Sequence, residues 1–300
     1  MSQDELVILG CSSQQPTRRR NQGAYFIRFQ DVGLLFDPGE GTQRQFIYAN
    51  IKPTAVSHIF VSHFHGDHCL GLGSMLMRLN LDKVSTPIHC YYPESGKKYF
   101  DRLRFGTMYH STIHVKEHPA SKQGGLVEKW PEFTIESLPL DHGVDNVGWR
   151  LQAPDRLRFD KDKLKKTGVK GPHVGVLMEK GEVTVEGKKV LREEVTYLEK
   201  GKSIAIVIDT RSCANAVKLA KDVDLLLCES TYLEDKKELA HEYAHMTAKE
   251  AAIIAKEAGA KKLVLTHFSA RYQDTEAFAD EAREIFPESY AASDMKRFLF

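Results

Sequence analysis

Short apolar runs separated by turn residues dominate the first third of the chain. Leu6 to Leu9, Ala24 to Phe29 and Gly33 to Phe36 are rich in β-branched and aromatic residues and predict strands, with a turn at Asp37-Pro38-Gly39-Glu40-Gly41. Thr42 to Ala49 predicts a short helix and Ile59-Phe60-Val61 a buried strand, while Leu70 to Leu81 carries apolar residues at helical spacing. The last third repeats this alternation. Ile204 to Ile208, Leu225 to Leu227 and Leu263 to Leu265 predict strands ending at Asp209, Glu229 and His267, and Thr247 to Ala258 predicts a helix stopped by Gly259. Strands that alternate with helices and finish in polar residues imply a layered α/β fold, two halves around one cleft at the strand ends.

The middle of the chain departs from this pattern. Arg156, Arg158, Lys161, Lys163, Lys165, Lys166 and Lys170 face only Asp160 and Asp162, and Val183 to Val190 reads as a hairpin turning at Glu186-Gly187. Residues 151–201 are therefore expected to form a basic, arm-like excursion from a single domain spanning 1–300. A solvated surface hairpin is the alternative.

Composition narrows the function. A hydrophobic fraction of 42% with 28% charged residues excludes a disordered or fibrous chain. Lys and Arg number 42 against 41 Asp and Glu, a net charge of +1, so a polyanion has to be held by local patches. No apolar run approaches the ~18–20 residues that span a bilayer, and the acidic start Met1-Ser2-Gln3-Asp4-Glu5 is not a signal peptide. Cys11, Cys69, Cys90, Cys213 and Cys228 include no CxxC pair, which points to reduced thiols and a cytoplasmic protein.

The chemistry is concentrated in Ser62-His63-Phe64-His65-Gly66-Asp67-His68. Residues two apart do not share a helix face, so His63 and His65 need a tight loop after a strand, which Gly66 permits. Three imidazoles and a carboxylate exceed what one open catalytic zinc site uses; a metal pair ~3.5–4 Å apart uses them all. A chance histidine cluster in a polar loop is the bland alternative. His114 and His118 lack a third partner and are expected at the surface, with His58, His89, His110, His173 and His241.

The motif HxHxDH, with Asp209 and His267 ending later strands, resembles the metallo-β-lactamase superfamily. That implies an αβ/βα four-layer sandwich with a dinuclear cleft: His63, His65 and His142 on one metal, Asp67, His68 and His267 on the other, and Asp209 bridging. Within the superfamily the chain is similar to ribonuclease Z over nearly its whole length. Pro16-Thr17-Arg18-Arg19-Arg20-Asn21 resembles the PxKxRN loop, Phe36 to Thr42 the first motif, and Cys228-Glu229-Ser230-Thr231 stands at the HEAT motif. His245-Met246-Thr247 stands at HST, and Thr266 to Tyr272 is close to the terminal signature. The sequence departs from the family in Arg18 for lysine, Ile208 before Asp209 where glycine is common, Cys228 for histidine and Met246 for serine. Gly171-Pro172 is present, but the prolines that usually precede it in the tRNA-gripping arm are not.

These residues suit phosphodiester hydrolysis. Zinc lowers the pKa of bound water toward about 7, giving a hydroxide without a protein base; manganese or iron suits the same ligands. The proton for the departing ribose oxygen is assigned to His245, oriented by Glu229, with Asp67 at the centre of the catalytic set. Alternatively, His245 caps the helix starting at Thr247. Asp37 is expected to hydrogen-bond a metal histidine or merely to form the turn. Arg18, Arg19, Arg20, Asn21, Gly171 and Pro172 are the expected substrate contacts, a solvated loop being the alternative for the arginines.

The expected activity is removal of the 3′ trailer of precursor tRNA, leaving a 3′-hydroxyl. A small-molecule or cyclic-nucleotide phosphodiesterase, or another hydrolase on the same centre, is the alternative. An RNA-binding protein without turnover and a di-iron oxidoreductase are weaker readings. The resemblance also implies two zinc ions per chain and a homodimer in which one subunit's arm serves the other's cleft.

Overall fold

The structure is a computed structural model and describes residues 3–300; Met1 and Ser2 of the acidic start lie outside them. It divides into two compact units, one running to Gln152 and resuming at Ser203–Phe300, the other Ala153–Lys202.

The larger unit is built on two seven-stranded sheets. The first runs in the order Arg297–Leu299, Glu5–Gly10, Ala24–Phe29, Val32–Phe36, Val56–Phe60, Ile88–Pro93, Val115–Ala120. Its N-terminal strands pair antiparallel, and from Val32–Phe36 onward the pairing is parallel. The second runs Ser289–Ala291, Leu263–Thr266, Leu225–Glu229, Ser203–Val207, Val147–Gln152, Thr134–Pro139, Gly125–Lys129. It mirrors the first: parallel from Ser203–Val207 to one edge and antiparallel to the other.

The sheets pack face to face through aromatic rings. Phe60 meets Trp149 edge-on at 5.3 Å, and Phe29 meets Phe133 at 5.6 Å. The helix Gly71–Leu81 turns Leu72, Met75, Leu76 and Leu79 onto the outer face of the first sheet. The helix Ala248–Ala258 packs against Leu225–Glu229 and Leu263–Thr266 of the second. Helix, sheet, sheet, helix is the layered α/β fold expected from the alternating pattern, in the four-layer form that the resemblance implies. Among the described residues no helix is long and apolar enough to cross a membrane.

Three histidines differ from expectation, His118 being half-buried with its Nδ1 3.1 Å from Glu128 Oε2. His58 and His89 are buried, because on Val56–Phe60 and Ile88–Pro93 they point inward between the sheets. Their rings stack at 5.0 Å, Trp130 closes edge-on against both, and His89 Nδ1 lies 2.8 Å from His118 Nε2. Burial, with His89 and His118 as neighbours, lowers the pKa of His58 to about 3. His110, His114, His173 and His241 are exposed.

The smaller unit has its own core of Val169, Leu177, Val190 and Val195. It contains the hairpin Glu182–Val185 and Lys188–Leu191, and a strand pair Arg156–Phe159 with Thr196–Glu199. The helix Lys161–Lys166 is capped by Asp160, whose carboxylate accepts from the N–H groups of Asp162 and Lys163. Its four lysines are exposed, as are Lys170, Gly171 and Pro172.

Candidate metal centre

Five strands of the larger unit deliver the cluster at their C-terminal ends. Val56–Phe60 leads into His63, His65, Asp67 and His68; Thr134–Pro139 leads to His142; Ser203–Val207 leads to Asp209; Leu225–Glu229 ends in Glu229; Leu263–Thr266 leads to His267. Three residues that follow a strand directly or nearly so take left-handed backbone angles: Asp37 (φ +45°), Asp209 (φ +51°) and His267 (φ +63°). For non-glycine residues this costs on the order of 1–2 kcal/mol each. It turns Asp209 and His267 sharply off their strands and into the cleft, and Asp37 behind the ring of His68. Asp209 does this without the glycine that commonly precedes it in the family.

The ligand atoms converge in two sets linked by a third. Those of His63, His65, His142 and Asp209 lie within 4.8 Å of one another, and so do those of Asp67, His68 and His267; Asp209, His245 and His267 also meet within that distance. Asp209 Oδ2 sits between the sets, 3.0 Å from His68 Nε2, 3.5 Å from His142 Nε2 and 3.7 Å from His63 Nε2.

Hydrogen bonds on the far side of four rings fix which nitrogen faces the centre. Asp37 Oδ2 accepts from His68 Nδ1 at 3.0 Å and from Ser62 Oγ at 2.6 Å, while Ser62 N donates to Oδ1 at 2.7 Å. With its proton given to Asp37, Ser62 Oγ accepts from His63 Nδ1 at 3.0 Å. Ala244 O accepts from His142 Nδ1 at 2.9 Å. Thr231 Oγ1 donates to Glu229 Oε2 at 2.7 Å and accepts from His267 Nδ1 at 3.0 Å. All four imidazoles therefore present an Nε2 lone pair inward, the tautomer that metal ligation needs. His65 offers Nδ1 instead, 3.0 Å from His63 Nε2 and 3.2 Å from His142 Nε2.

The donor set fits divalent metal. His68 Nε2, His267 Nε2 and Asp209 Oδ1 are buried and make no aligned hydrogen bond among the described residues, although His68 Nε2 stands 3.0 Å from Asp209 Oδ2 and Asp209 Oδ1 3.1 Å from His267 Nδ1. Three imidazole nitrogens facing one another at hydrogen-bond distance are accounted for by a cation between them.

Beside the cluster lies a second constellation. Glu229, fully buried, accepts from Thr210 N at 2.6 Å, Thr231 N at 3.2 Å and His245 Nδ1 at 2.9 Å. Burial works against charge on His245, but the Glu229 carboxylate prevails and raises its pKa to about 9. His245 does not cap the following helix. Thr247 does so itself, its Oγ1 accepting from Glu250 N at 3.2 Å while Glu250 Oε2 accepts from Thr247 N at 3.0 Å. Two departures from the family meet here, Cys228 Sγ lying 3.8 Å from Met246 Sδ.

The remaining expected residues divide. Arg18 and Arg19 are exposed. Arg20 is buried, its Nη2 donating to Tyr272 O at 2.8 Å and Ser269 O at 3.2 Å. Asn21 Nδ2 donates to Glu40 O at 2.8 Å. Gln14, in the same loop at φ +49°, donates its N–H to Asp67 Oδ2 at 2.8 Å. Nothing in the sequence marks the orienting roles of Ser62 and Gln14, whereas Thr231 ends the motif Cys228-Glu229-Ser230-Thr231.

All of this opens into one cleft of about 980 Å³, lined by His65, Asp67, His142, Asp209, His245 and His267, with Tyr232, Tyr243 and Arg271 on its wall.

Comparison with known proteins agrees with this fold. A family model for the metallo-beta-lactamase superfamily matches residues 17–199. The chain is 59% identical over 300 residues to a protein named ribonuclease Z from Protochlamydia amoebophila, covering all of this chain and 98% of that one. It is 60% identical to a ribonuclease Z from Chlamydia caviae with the same coverage. The crystal structure of the short form of human tRNase Z superimposes with a TM-score of 0.73 at 24% identity, over 98% of each chain. The chain therefore belongs to the metallo-beta-lactamase superfamily and, within it, to the ribonuclease Z family.

Proposed function

We propose that the chain is a zinc-dependent endoribonuclease that removes the 3′ trailer of precursor tRNA and leaves a 3′-hydroxyl on the tRNA. The observation that carries this reading is the meeting of seven metal-ligating side chains with the Glu229–His245 pair in one cleft. Full-length identity of about 60% to proteins named ribonuclease Z supports precursor tRNA, rather than a small phosphodiester, as the substrate.

His63, His65 and His142 would hold one ion, Asp67, His68 and His267 the second, with Asp209 shared. When bound, two zinc ions supply a hydroxide at neutral pH and take up charge from the phosphoryl oxygens. The chain's own residues do the rest. His245 delivers its proton to the ribose O3′ as the O3′–P bond breaks, and the trailer departs with the phosphate. Glu229 keeps that imidazole charged and aimed. Asp67 is held in place by the Gln14 N–H.

Substrate is gripped by local patches, since the net charge of +1 gives no general attraction. Arg18, Arg19 and the exposed lysines of Lys161–Lys166 are the phosphate contacts, with Gly171 and Pro172 presenting the arm. Arg20 and Asn21 shape the loop from within. Neutralising Lys161, Lys163, Lys165 and Lys166 together with Arg18 and Arg19 should weaken precursor binding and flatten its salt dependence. Unchanged affinity would remove the patches from the account.

The protein is proposed to work as a homodimer in the cytoplasm, in keeping with its five free cysteines. The adjacent helices Thr42–Tyr48, Gly71–Leu81 and Lys97–Phe105 leave Ile47, Tyr48, Leu81 and Phe105 exposed, an apolar face suited to a second copy. Sedimentation of Leu81→Glu tests it: a monomer is expected, and an unaltered dimer places the interface elsewhere.

The deciding experiment maps the ends produced from a 3′-extended precursor tRNA by the zinc-loaded protein, beside Asp67→Ala. One cut after the discriminator, absent in the variant, is expected. Hydrolysis of bis(p-nitrophenyl) phosphate without any cut in tRNA would leave the catalytic centre standing and overturn the substrate.

A further inference from the structure

Tyr243 has a position that neither metal ligation nor the acid–base pair requires. The residue is 56% exposed and lines the cleft two positions before His245. Its hydroxyl makes no hydrogen bond among the described residues, so nothing within the unit calls for a tyrosine there.

The backbone nevertheless holds it firmly. Tyr243 ends the helix Lys237–Glu242, its N–H donating to Leu239 O at 3.2 Å. Ala244, the link to His245, adopts φ +58°, a left-handed angle that an alanine takes only under constraint. That constraint is visible. Ala244 O accepts from the metal-ligand candidate His142 at 2.9 Å, and His245 N donates to Ala240 O at 2.8 Å. One strained turn thus sets the backbone of two residues that line the same cleft, the proposed proton donor His245 and a tyrosine with an open aromatic face. Tyr232 lies alongside, its ring 6.4 Å from that of His245, with the Arg271 guanidinium 5.2 Å above it.

The reaction decides what can meet that face. The proton of His245 goes to the O3′ of the nucleotide that stays on the tRNA, so that ribose lies against His245 and its base falls on the adjoining wall. We propose that Tyr243 is a stacking platform for the base of the last retained nucleotide, the one whose 3′ oxygen leaves. The proposal rests on precursor tRNA as substrate and on His245 as proton donor. Stacking accepts every base, because each has a π face, and holds the larger purines more tightly. The pocket therefore sets the position of the cut without demanding one sequence.

The test pairs two substrates with three proteins. Precursor tRNA carrying a normal purine at the discriminator is compared with the same RNA carrying an abasic residue there, using the native protein, Tyr243→Leu and Tyr243→Phe. The native protein and Tyr243→Phe should cleave the abasic substrate about 5- to 100-fold less efficiently in kcat/KM. Tyr243→Leu should lose a similar factor on the normal substrate and discriminate little between the two. A second readout needs no turnover: with 2-aminopurine at that position, binding to metal-free protein should quench fluorescence for the native chain and not for Tyr243→Leu. Equal losses on both substrates, or unaltered quenching in Tyr243→Leu, would overturn the platform. Absence of any cut by the native protein would instead overturn the tRNA reading itself.

Discussion

Replacing Glu229 by glutamine removes one charge and almost no volume. The carboxylate is fully buried and accepts from Thr210 N, Thr231 N, Thr231 Oγ1 and His245 Nδ1, bonds that favour its ionised form. The rise of the His245 pKa from 6.5 to about 9 corresponds to about 3 kcal/mol in favour of the charged imidazole. Without the carboxylate its two favourable contributions are lost, and the pKa should fall back toward the ordinary 6.5. At pH 8 the charged fraction then drops from about nine-tenths to about three per cent, so cleavage should slow about 30-fold through this term alone. At pH 6 both forms of His245 are mostly charged and the two rates should converge to within about twofold. The assay is single-turnover cleavage of precursor tRNA at saturating zinc from pH 6 to 9, read as the native-to-variant ratio so that titration of the nucleophile cancels. A p-nitrophenyl phosphodiester, whose leaving group needs no proton, is the control and should lose little. A ratio flat across pH, or an equal loss on the nitrophenyl ester, would show that Glu229 serves packing and not proton delivery.

Three further outcomes follow from the same geometry. Asp209→Ala should lower the bound divalent metal measured by elemental analysis and cut cleavage by more than about a hundredfold, and full metal content with activity would refute a shared ligand at Asp209. His58 is neutral in the fold while the unfolded chain takes up a proton below pH 6.5, so its contribution is complete above 6.5 and lost as pH falls toward 3. Stability from urea unfolding should therefore fall by up to about 1.4 kcal/mol per pH unit there, and His58→Phe should reduce the slope. Arg20→Ala should cost about 1–3 kcal/mol of stability by orphaning Ser269 O and Tyr272 O, whereas Arg18→Ala and Arg19→Ala should stay within about 0.5 kcal/mol.

The layers and the cluster were legible in the sequence because both depend on strand ends. An apolar run that stops at Asp209 or His267 announces a side chain at the rim of a sheet. The spacing of His63 and His65 requires a loop, but it does not show that Asp67 and His68 fall in the one-turn helix Gly66–Cys69. What the sequence hid was direction. Arg18, Arg19 and Arg20 are alike as letters, yet only Arg20 turns inward, to carbonyls about 250 residues away in the chain. His58 and His89 count as polar in an alternation pattern, but stacked rings and a T-shaped Trp130 make them interior residues. Cys228 and Met246 read as two separate departures from the family. In the fold they are one change, a sulfur–sulfur contact behind Glu229.

The way the smaller unit joins the larger has a consequence for its history. Gln152 and Ser203 are the last paired residues of two neighbouring strands, and directly beyond them Ala153 N donates to Lys202 O at 2.8 Å. Gly201 is held there because a Cβ would stand 1.9 Å from Ala153 O. Entry and exit are thus a single closed rung, and the 50 residues between them amount, for the sheet, to one enlarged hairpin loop. Closure entropy grows only logarithmically with loop length, so segments of different size can be carried at that rung for little difference in stability. The seam at Ala153 and Lys202 is where recombination can exchange the inserted unit while every register of the sheet stays as it is, and where a chimera builder would cut.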